Sequence, residues 1–280
     1  MSVGIVVNTN IPSISAARIL AGNRAGLEKA MERLSSGKRI NSASDDAAGM
    51  AVAAKLRADM RSLNQAVRNT NDAISLVSTY DGAASEIESI LVRMREMAVQ
   101  SANGTYSNDD RANAQKEVDA LIEEIDRIGA NTQFNRLNIA DGVTKDFKFR
   151  VGPQPAEADE VKITLASLKS EDLGTDLDKI DIKDQDGASE AVETIDGALD
   201  DLAGARADAG AFINRLGHTI ITQQNVSQRT AEALSGIEDA DYATESAALA
   251  RGMVLAQAGT SMLAQANQAP QYVLNLLKGF

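Results

Sequence analysis

Residues 191–220 read AVETIDGALDDLAGARADAGAFINRLGHTI. Apolar side chains recur at Val192, Ile195, Leu199, Leu202, Ala209, Ile213, Leu216 and Ile220, in alternating steps of three and four, with Arg206 falling on the same stripe. That spacing gathers them on one face of a helix, the pattern of long helices packed side by side as in a coiled coil. Two other stretches carry the same period. One runs through Leu56, Met60, Leu63, Val67, Thr70, Ile74 and Val77. After a phase change near Gly82 it resumes as Ile87, Leu91, Met94 and Ala98. The other holds Ala114, Val118, Leu121, Ile125 and Ile128. The fold expected is mainly α, a long antiparallel helical bundle or coiled-coil hairpin with a small β-hairpin region in the middle.

Composition agrees. Of 280 residues 44% are apolar but only 3% aromatic, and there is no Trp. Such a core is built from Ala, Leu, Ile, Val and Met, which suit helix-on-helix packing better than sheets. The four prolines, Pro12, Pro153, Pro155 and Pro270, leave 13–152 and 156–269 free of the strongest helix breaker. A net charge of −12 argues against nucleic acid and anionic membrane surfaces. The absence of Cys excludes disulfides and thiolate metal sites. No apolar run reaches the 18 or so residues a membrane-spanning helix needs, so no membrane insertion is expected. The start, MSVGIVVNTNIPS, has no basic segment and too short an apolar run for a cleaved secretory signal, so export would use another route.

Boundaries follow capping chemistry. Asn103-Gly104-Thr105 ends the first long helix, Ser107 and Asp110 form a capping box for the second, and Gly129 through Phe134 breaks it. From 143 to 168 the period becomes two: Val143, Phe147, Phe149 and Val151, then Val161, Ile163 and Leu165, flank Gly152-Pro153-Gln154-Pro155. This predicts one β-hairpin or two. Residues 169–187 are acidic and read as an irregular surface loop. The two ends are rich in Ala, Ser, Asn and Gln, with apolar residues at helical spacing: Ile14, Ile19, Leu20, Leu27, Met31 and Leu34 at one end, Met253, Leu255, Met262, Leu263, Val273, Leu276 and Leu277 at the other. An amphipathic helix with nothing to bury against does not hold itself in water. Either the ends dock on the central bundle, or they pair with each other and with neighbouring molecules, ordering on assembly.

Catalytic and metal chemistry finds no support. His218 is the sole histidine, with no nucleophile elbow beside it, and reads as a helix-surface residue. HExxH needs two histidines. Asp184, Asp186, Gly187 and Glu193 fit positions 3, 5, 6 and 12 of a calcium loop, but position 1 is Ile182. An acidic lead into a helix N-terminus explains them. Asn103-Gly104-Thr105 and Asn225-Val226-Ser227 match the glycosylation sequon at a helix end and a helix face. No enzyme activity, cofactor or metal is expected.

The ends carry longer motifs: Val7-Asn8-Thr9-Asn10, Glu32 through Ala43 (ERLSSGKRINSA), Asp45-Asp46-Ala47-Ala48-Gly49, Arg93 through Gly104 (RMREMAVQSANG), Thr132-Gln133-Phe134-Asn135, Ile237 through Glu245 (IEDADYATE), and Gln257 through Gln268 (QAGTSMLAQANQ), reaching Pro270-Gln271. In order and at both ends these closely resemble bacterial flagellin, over about 1–165 and 188–280. The resemblance implies three parts. Residues 1–42 with 240–280 are the inner-core terminal helices, 43–142 with 188–239 the outer-core helical bundle, and 143–187 a short hairpin and loop region replacing the variable domain. It implies an extracellular flagellar filament subunit, exported unfolded by the flagellar type III apparatus. The partners it implies are other copies of itself, an export chaperone, the filament cap and the hook-junction proteins. A hook–filament junction protein, which shares the terminal architecture, is the alternative; the 237–268 block favours the filament subunit. The polymerisation residues are then Ile14, Leu20, Leu27, Leu34, Met253, Met262, Leu263, Val273, Leu276 and Leu277. Arg93, Met97 and Glu117 match family positions that contribute to recognition by the flagellin-sensing Toll-like receptor of animals, with Met97 replacing the usual Leu. Packing between protofilaments is the primary role expected of that face.

Overall fold

The computed structural model describes residues 9–142, 146–154, 159–174 and 176–278, of which 271–278 as main chain only. Val7, Asn8, Val143 and Pro155, and the side chains of Val273, Leu276 and Leu277, lie outside the described residues. Among the described residues are five α-helices: α1 (Ile11–Ser36), α2 (Ala47–Ser101), α3 (Asn108–Asn131), α4 (Gln185–Glu238) and α5 (Tyr242–Lys278). Between α3 and α4 lie two antiparallel strand pairs, β1 (Gln133–Phe134) with β2 (Leu137–Asn138), and β3 (Asp146–Arg150) with β4 (Glu160–Thr164). The chain divides into two compact units, 1–58 with 229–280, and 59–228. The division falls inside α2 and α4, past the loops at 37–46 and 239–241. Both helices run through it, so no cap or break in the sequence marks it.

In the 59–228 unit, α2 buries an unbroken heptad from Leu63 through Ala66, Thr70, Ala73, Val77, Tyr80, Ala84, Ile87, Leu91 and Met94 to Ala98. The phase change expected at Gly82 does not occur. Gly82 faces solvent, and the stripe passes through Ala66 and Ala73, while Val67 and Ile74 sit half-buried at its edge. α4 behaves alike: Ala188, Ala191, Ile195, Ala198, Leu202, Ala209, Phe212 and Leu216 are buried, with Val192, Leu199 and Ile213 flanking them. Arg206 is therefore beside the seam rather than on it, where its guanidinium binds Asp81 (2.9 Å) and Glu88 of α2.

Pairs between the two helices fix their direction. Arg95 meets Asp196 at 2.5 Å, Arg206 meets Asp81 and Glu88, and Asn64 meets Ser227 at 3.5 Å. As one number rises the other falls, so α2 and α4 are antiparallel. α3 begins at the capping box foreseen at Ser107 and Asp110. Its Arg111, buried, donates to the carbonyls of Ser101 (2.8 Å) and Asn103 (3.2 Å), closing the C-terminal end of α2. α3 ends at Asn131, inside the expected break at 129–134, with Gly129 still helical. Gly129 is buried within the helix, and a Cβ there would lie 3.1 Å from the backbone of Leu168.

The hairpin is as the alternation predicts, with Phe147 opposite Ile163 and Phe149 opposite Val161. Phe149 also contacts Phe212 of α4 at a ring separation of 6.4 Å. Residues 169–187 are not a plain surface loop. Leu173, Leu177, Ile180 and Ile182 enter the core, and buried polar groups hold the main chain around them. Gln115 donates to the Ile180 carbonyl (2.9 Å) and accepts from the Ile182 N–H (2.7 Å). Asp126 accepts from the Ser170 N–H (2.9 Å) and hydroxyl (2.7 Å), and Tyr80 donates to the Ala166 carbonyl (3.0 Å). Burial raises the Tyr80 phenol to about 12. An irregular path gives its apolar residues no period, and so hides them among the acids. Asp184, from the discarded calcium pattern, accepts the Gly187 N–H at 2.7 Å at the start of α4.

Candidate assembly surface

In the other unit α1 and α5 lie antiparallel, each on a strict heptad. The covered positions are Ser13, Ala16, Leu20, Asn23, Leu27, Ala30 and Leu34 on α1, and Glu245, Leu249, Gly252, Ala256, Gly259, Leu263, Ala266 and Pro270 on α5. The ends thus pair with each other as helices within the single chain. Close approach explains how two helices suffice. A Cβ at Gly259 would stand 3.0 Å from the Leu20 side chain, and one at Gly252 would stand 3.1 Å from Leu27. Leucines on α1 fill the gaps that the missing side chains leave.

Polar ties set the register. Arg33 pairs with Glu245 at 2.9 Å, and the Ser13 hydroxyl donates to Asn267 at 2.6 Å. Asn10 does two things at once. Its Oδ1 caps α1 by accepting the Ser13 N–H (3.1 Å), and its Nδ2 donates to the Ala266 carbonyl (2.8 Å). Ala266 lies four residues before Pro270, which stands inside α5 and has no N–H to offer that carbonyl. Asn10 therefore supplies the hydrogen bond the proline withholds.

The loops at 37–46 and 239–241 are clasped together. The Arg39 N–H donates to the Glu238 carbonyl (2.7 Å) and the Ala240 N–H to the Gly37 carbonyl (3.0 Å), while Lys38 pairs with buried Glu238. Asp45 accepts from Lys29 (2.7 Å) and from the N–H groups of Asn41 and Ser42 (each 3.1 Å). The Lys29 hydrogen bond and those two amides hold its carboxyl well below the usual carboxylate range. Asp46 accepts the Gly49 N–H at 2.9 Å, and a Cβ at Gly49 would run into the Asp46 carboxylate. The motif Asp45-Asp46-Ala47-Ala48-Gly49 is thus a turn lock followed by a helix cap.

The candidate polymerisation residues separate into two groups. Leu20 is 6% exposed, and Leu27, Leu34 and Leu263 are half-buried, all four in the seam of their own chain. Ile14 (62%), Met253 and Met262 (62%) are exposed, together with Ile11, Ile19, Met31, Val254 and Leu255. Periodicity could not tell these groups apart, since on α5 Gly252, Ala256, Gly259 and Ala266 hold seam positions while larger residues stand beside them. In the 59–228 unit, Arg93 and Glu117 meet at 3.0 Å on the surface, with Glu96 beside them at 3.3 Å. Met97 does not share their face: it is 3% exposed and faces the core next to Met94 and Ala98.

A chain whose two ends pair as long helices, and which leaves rows of large apolar side chains uncovered on them, defines a self-associating helical subunit. Residues 7–145 match the bacterial flagellin N-terminal helical region, and residues 192–277 the bacterial flagellin C-terminal helical region. A flagellin of Halalkalibacterium halodurans is 43% identical over 98% of this chain and 100% of its own length. The flagellar filament 33 kDa core protein of Treponema phagedenis is 39% identical over 98% and 100%. The crystal structure of Bacillus cereus flagellin, 32% identical, covers 56% of this chain and 88% of its own, with a TM-score of 0.48. The chain belongs to the bacterial flagellin family.

Proposed function

We propose that this chain is a structural subunit of the bacterial flagellar filament, polymerising outside the cell and serving swimming motility. The observation that carries the reading is the uncovered apolar surface on α1 and α5: Ile14, Ile19, Met253, Val254 and Met262 are each more than half exposed. A subunit that buries such a surface against the next copy through a non-closing contact makes an open helical polymer. The family is structural, and the reading assigns no catalytic step. Among the described residues no helix is long and apolar enough to cross a membrane.

Deleting 1–40 or 242–280 is expected to leave a helical chain that forms no filaments. Circular dichroism with sedimentation is the measurement, and long filaments from either truncated chain would refute the reading. A hook–filament junction protein remains the second reading, and abundance separates them, because a filament subunit dominates sheared appendages.

Further partners follow from the same reading. They are the flagellar type III apparatus with an export chaperone for the unfolded chain, and the filament cap and hook-junction proteins at the polymer's ends. Recognition by the flagellin-sensing Toll-like receptor would rest on the exposed Arg93–Glu117 pair. Met97, beneath it, would support that face rather than touch the receptor. Arg93→Ala should weaken the response in a receptor reporter assay roughly tenfold. An exposed ion pair is screened by solvent and contributes little to stability, so melting should barely change. An unchanged response would remove Arg93 from the contact.

A further inference from the structure

Asn103-Gly104 is the only Asn-Gly pair in the sequence. It stands exposed in the turn between Ser101, where α2 ends, and Asn108, where α3 begins. In such a pair the Gly104 nitrogen can close a five-membered ring on the side-chain carbonyl carbon of Asn103. Glycine has no Cβ to obstruct that approach.

Three hydrogen bonds in the turn favour the closure. The Thr105 N–H donates to Asn103 Oδ1 at 3.3 Å, the atom on which negative charge develops as Cγ is attacked. Arg111 donates to the main-chain carbonyl of Asn103 at 3.2 Å, and the Tyr106 N–H donates to the same oxygen at 3.3 Å. That oxygen and the Gly104 N–H belong to one peptide group. Donors on the oxygen draw electron density from the nitrogen and make its proton easier to lose, and Arg111 is a buried cation. The Gly104 N–H itself makes no hydrogen bond to a described residue. Beyond its chain neighbours, a Cβ at Gly104 would meet nothing nearer than Gln185 Oε1 at 4.0 Å.

Asn41-Ser42 is the contrasting case. A small residue follows asparagine there too, but the Ser42 N–H donates to the Asp45 carboxylate at 3.1 Å, as does the Asn41 N–H. A nitrogen bonded to an anion holds its proton, and Asn41 is half-buried.

We propose that Asn103 is a self-modifying site, which the turn around it converts with water to isoaspartate or aspartate. The Gly104 nitrogen gives its proton to a solvent base and attacks Cγ. The N–Cγ bond forms, and the C=O pair moves onto Oδ1. That pair returns as the Cγ–Nδ2 bond breaks, and Nδ2 takes a proton from water and leaves as ammonia. A succinimide remains. Water adds to either of its carbonyls and breaks that C–N bond, so one water is consumed and one ammonia released overall. Opening at the main-chain carbonyl gives isoaspartate, and the old Asn103 carbonyl becomes the free carboxylate. The Arg111 and Tyr106 hydrogen bonds then fall on an anion, which strengthens them. The inference is independent of how the chain assembles.

The test is to age the full chain in mildly alkaline buffer, folded and in urea, and to follow each asparagine by peptide mapping with mass spectrometry. Conversion at 103 should run roughly tenfold faster in the folded chain, where the donors are aligned. Asn41 should stay an amide. Gly104→Ala has room for its methyl group and a backbone outside the left-handed region, so it should melt as the parent does while conversion at 103 is lost. The converted parent should melt within about 2 °C of the fresh one, because Arg111 receives the new charge. Conversion no faster folded than in urea would overturn the proposal. So would equal conversion at Asn41, or conversion of Gly104→Ala at the parent's rate. A converted chain that melts well below the parent would overturn the placement of the carboxylate at Arg111.

Discussion

Leu216→Asp is expected to lower the melting temperature of the 59–228 unit by roughly 10 °C or more, whereas Asp200→Ala should leave it within about 2 °C. Leu216 is fully buried in the α4 seam, among the side chains of α2 and the hairpin. An aspartate there must either stay ionised without a partner or take up a proton against its ordinary tendency. Either course costs several kcal/mol, on the order of 4. A domain of this size has only about 5–15 kcal/mol of stability in all. Asp200 lies on the outer side of the same helix, exposed, and alanine is the better helix former. Leu199→Asp should fall between the two, because Leu199 is half-buried at the seam's edge rather than on it. Circular dichroism melts of the three variants decide the matter. If Leu216→Asp melted with the parent, the α4 seam described here would be wrong.

That ordering of Leu216, Leu199 and Asp200 also shows what the sequence could disclose. The period of the long helices was legible, and so was half of each seam. Ile195, Leu202, Ala209 and Leu216 were placed correctly because apolar residues stood there at every seventh position, three of them large. The other half was misassigned by one residue. Val192, Leu199 and Ile213 outrank Ala191, Ala198 and Phe212 in number of branched aliphatic side chains, yet the buried line runs through the two alanines and the ring. The same preference for bulk produced a phase change at Gly82 that α2 does not have. Buried polar residues were less legible still. Arg111 and Gln115 occupy seam positions for reasons that only the neighbouring main chain supplies, an exposed helix end and an irregular segment at Ile180–Ile182, whereas Thr70, on the expected stripe, bonds a carbonyl of α2 one turn back. On the assembly surface, the motifs at the two ends were visible separately. Their connection was not, because the link between Asn10 and Pro270 is a hydrogen bond to Ala266 whose need arises only when the two ends lie side by side.

The second large effect concerns the two glycines of α5. Gly252 and Gly259 are seven residues apart, on the line that faces Leu27 and Leu20. Alanine at either place puts a methyl group 3.0–3.1 Å from a leucine Cδ1, the movable end of a flexible side chain. Alanine in a helix is also favoured over glycine by about 1 kcal/mol. The two effects oppose each other, so each single alanine variant should polymerise nearly as the parent does. Leucine adds three carbons more at each site, for which the small shift that admits a methyl leaves no room. Overpacking of this kind costs about 1–3 kcal/mol per site. Gly252→Leu with Gly259→Leu should therefore part the helices. Arg33 then loses Glu245, and Asn10 loses the Ala266 carbonyl. The apolar residues on the outer faces, Ile14, Met253 and Met262, are no longer held in one register for a neighbouring copy. The expected result is a chain whose 59–228 unit melts as before, whose ends are cut by protease within 11–36 and 242–270, and which forms no filaments. Limited proteolysis, melting and electron microscopy read the three parts separately. Filaments from the double leucine variant at the parent's critical concentration would show that the close approach at these glycines is not what positions the assembly surface.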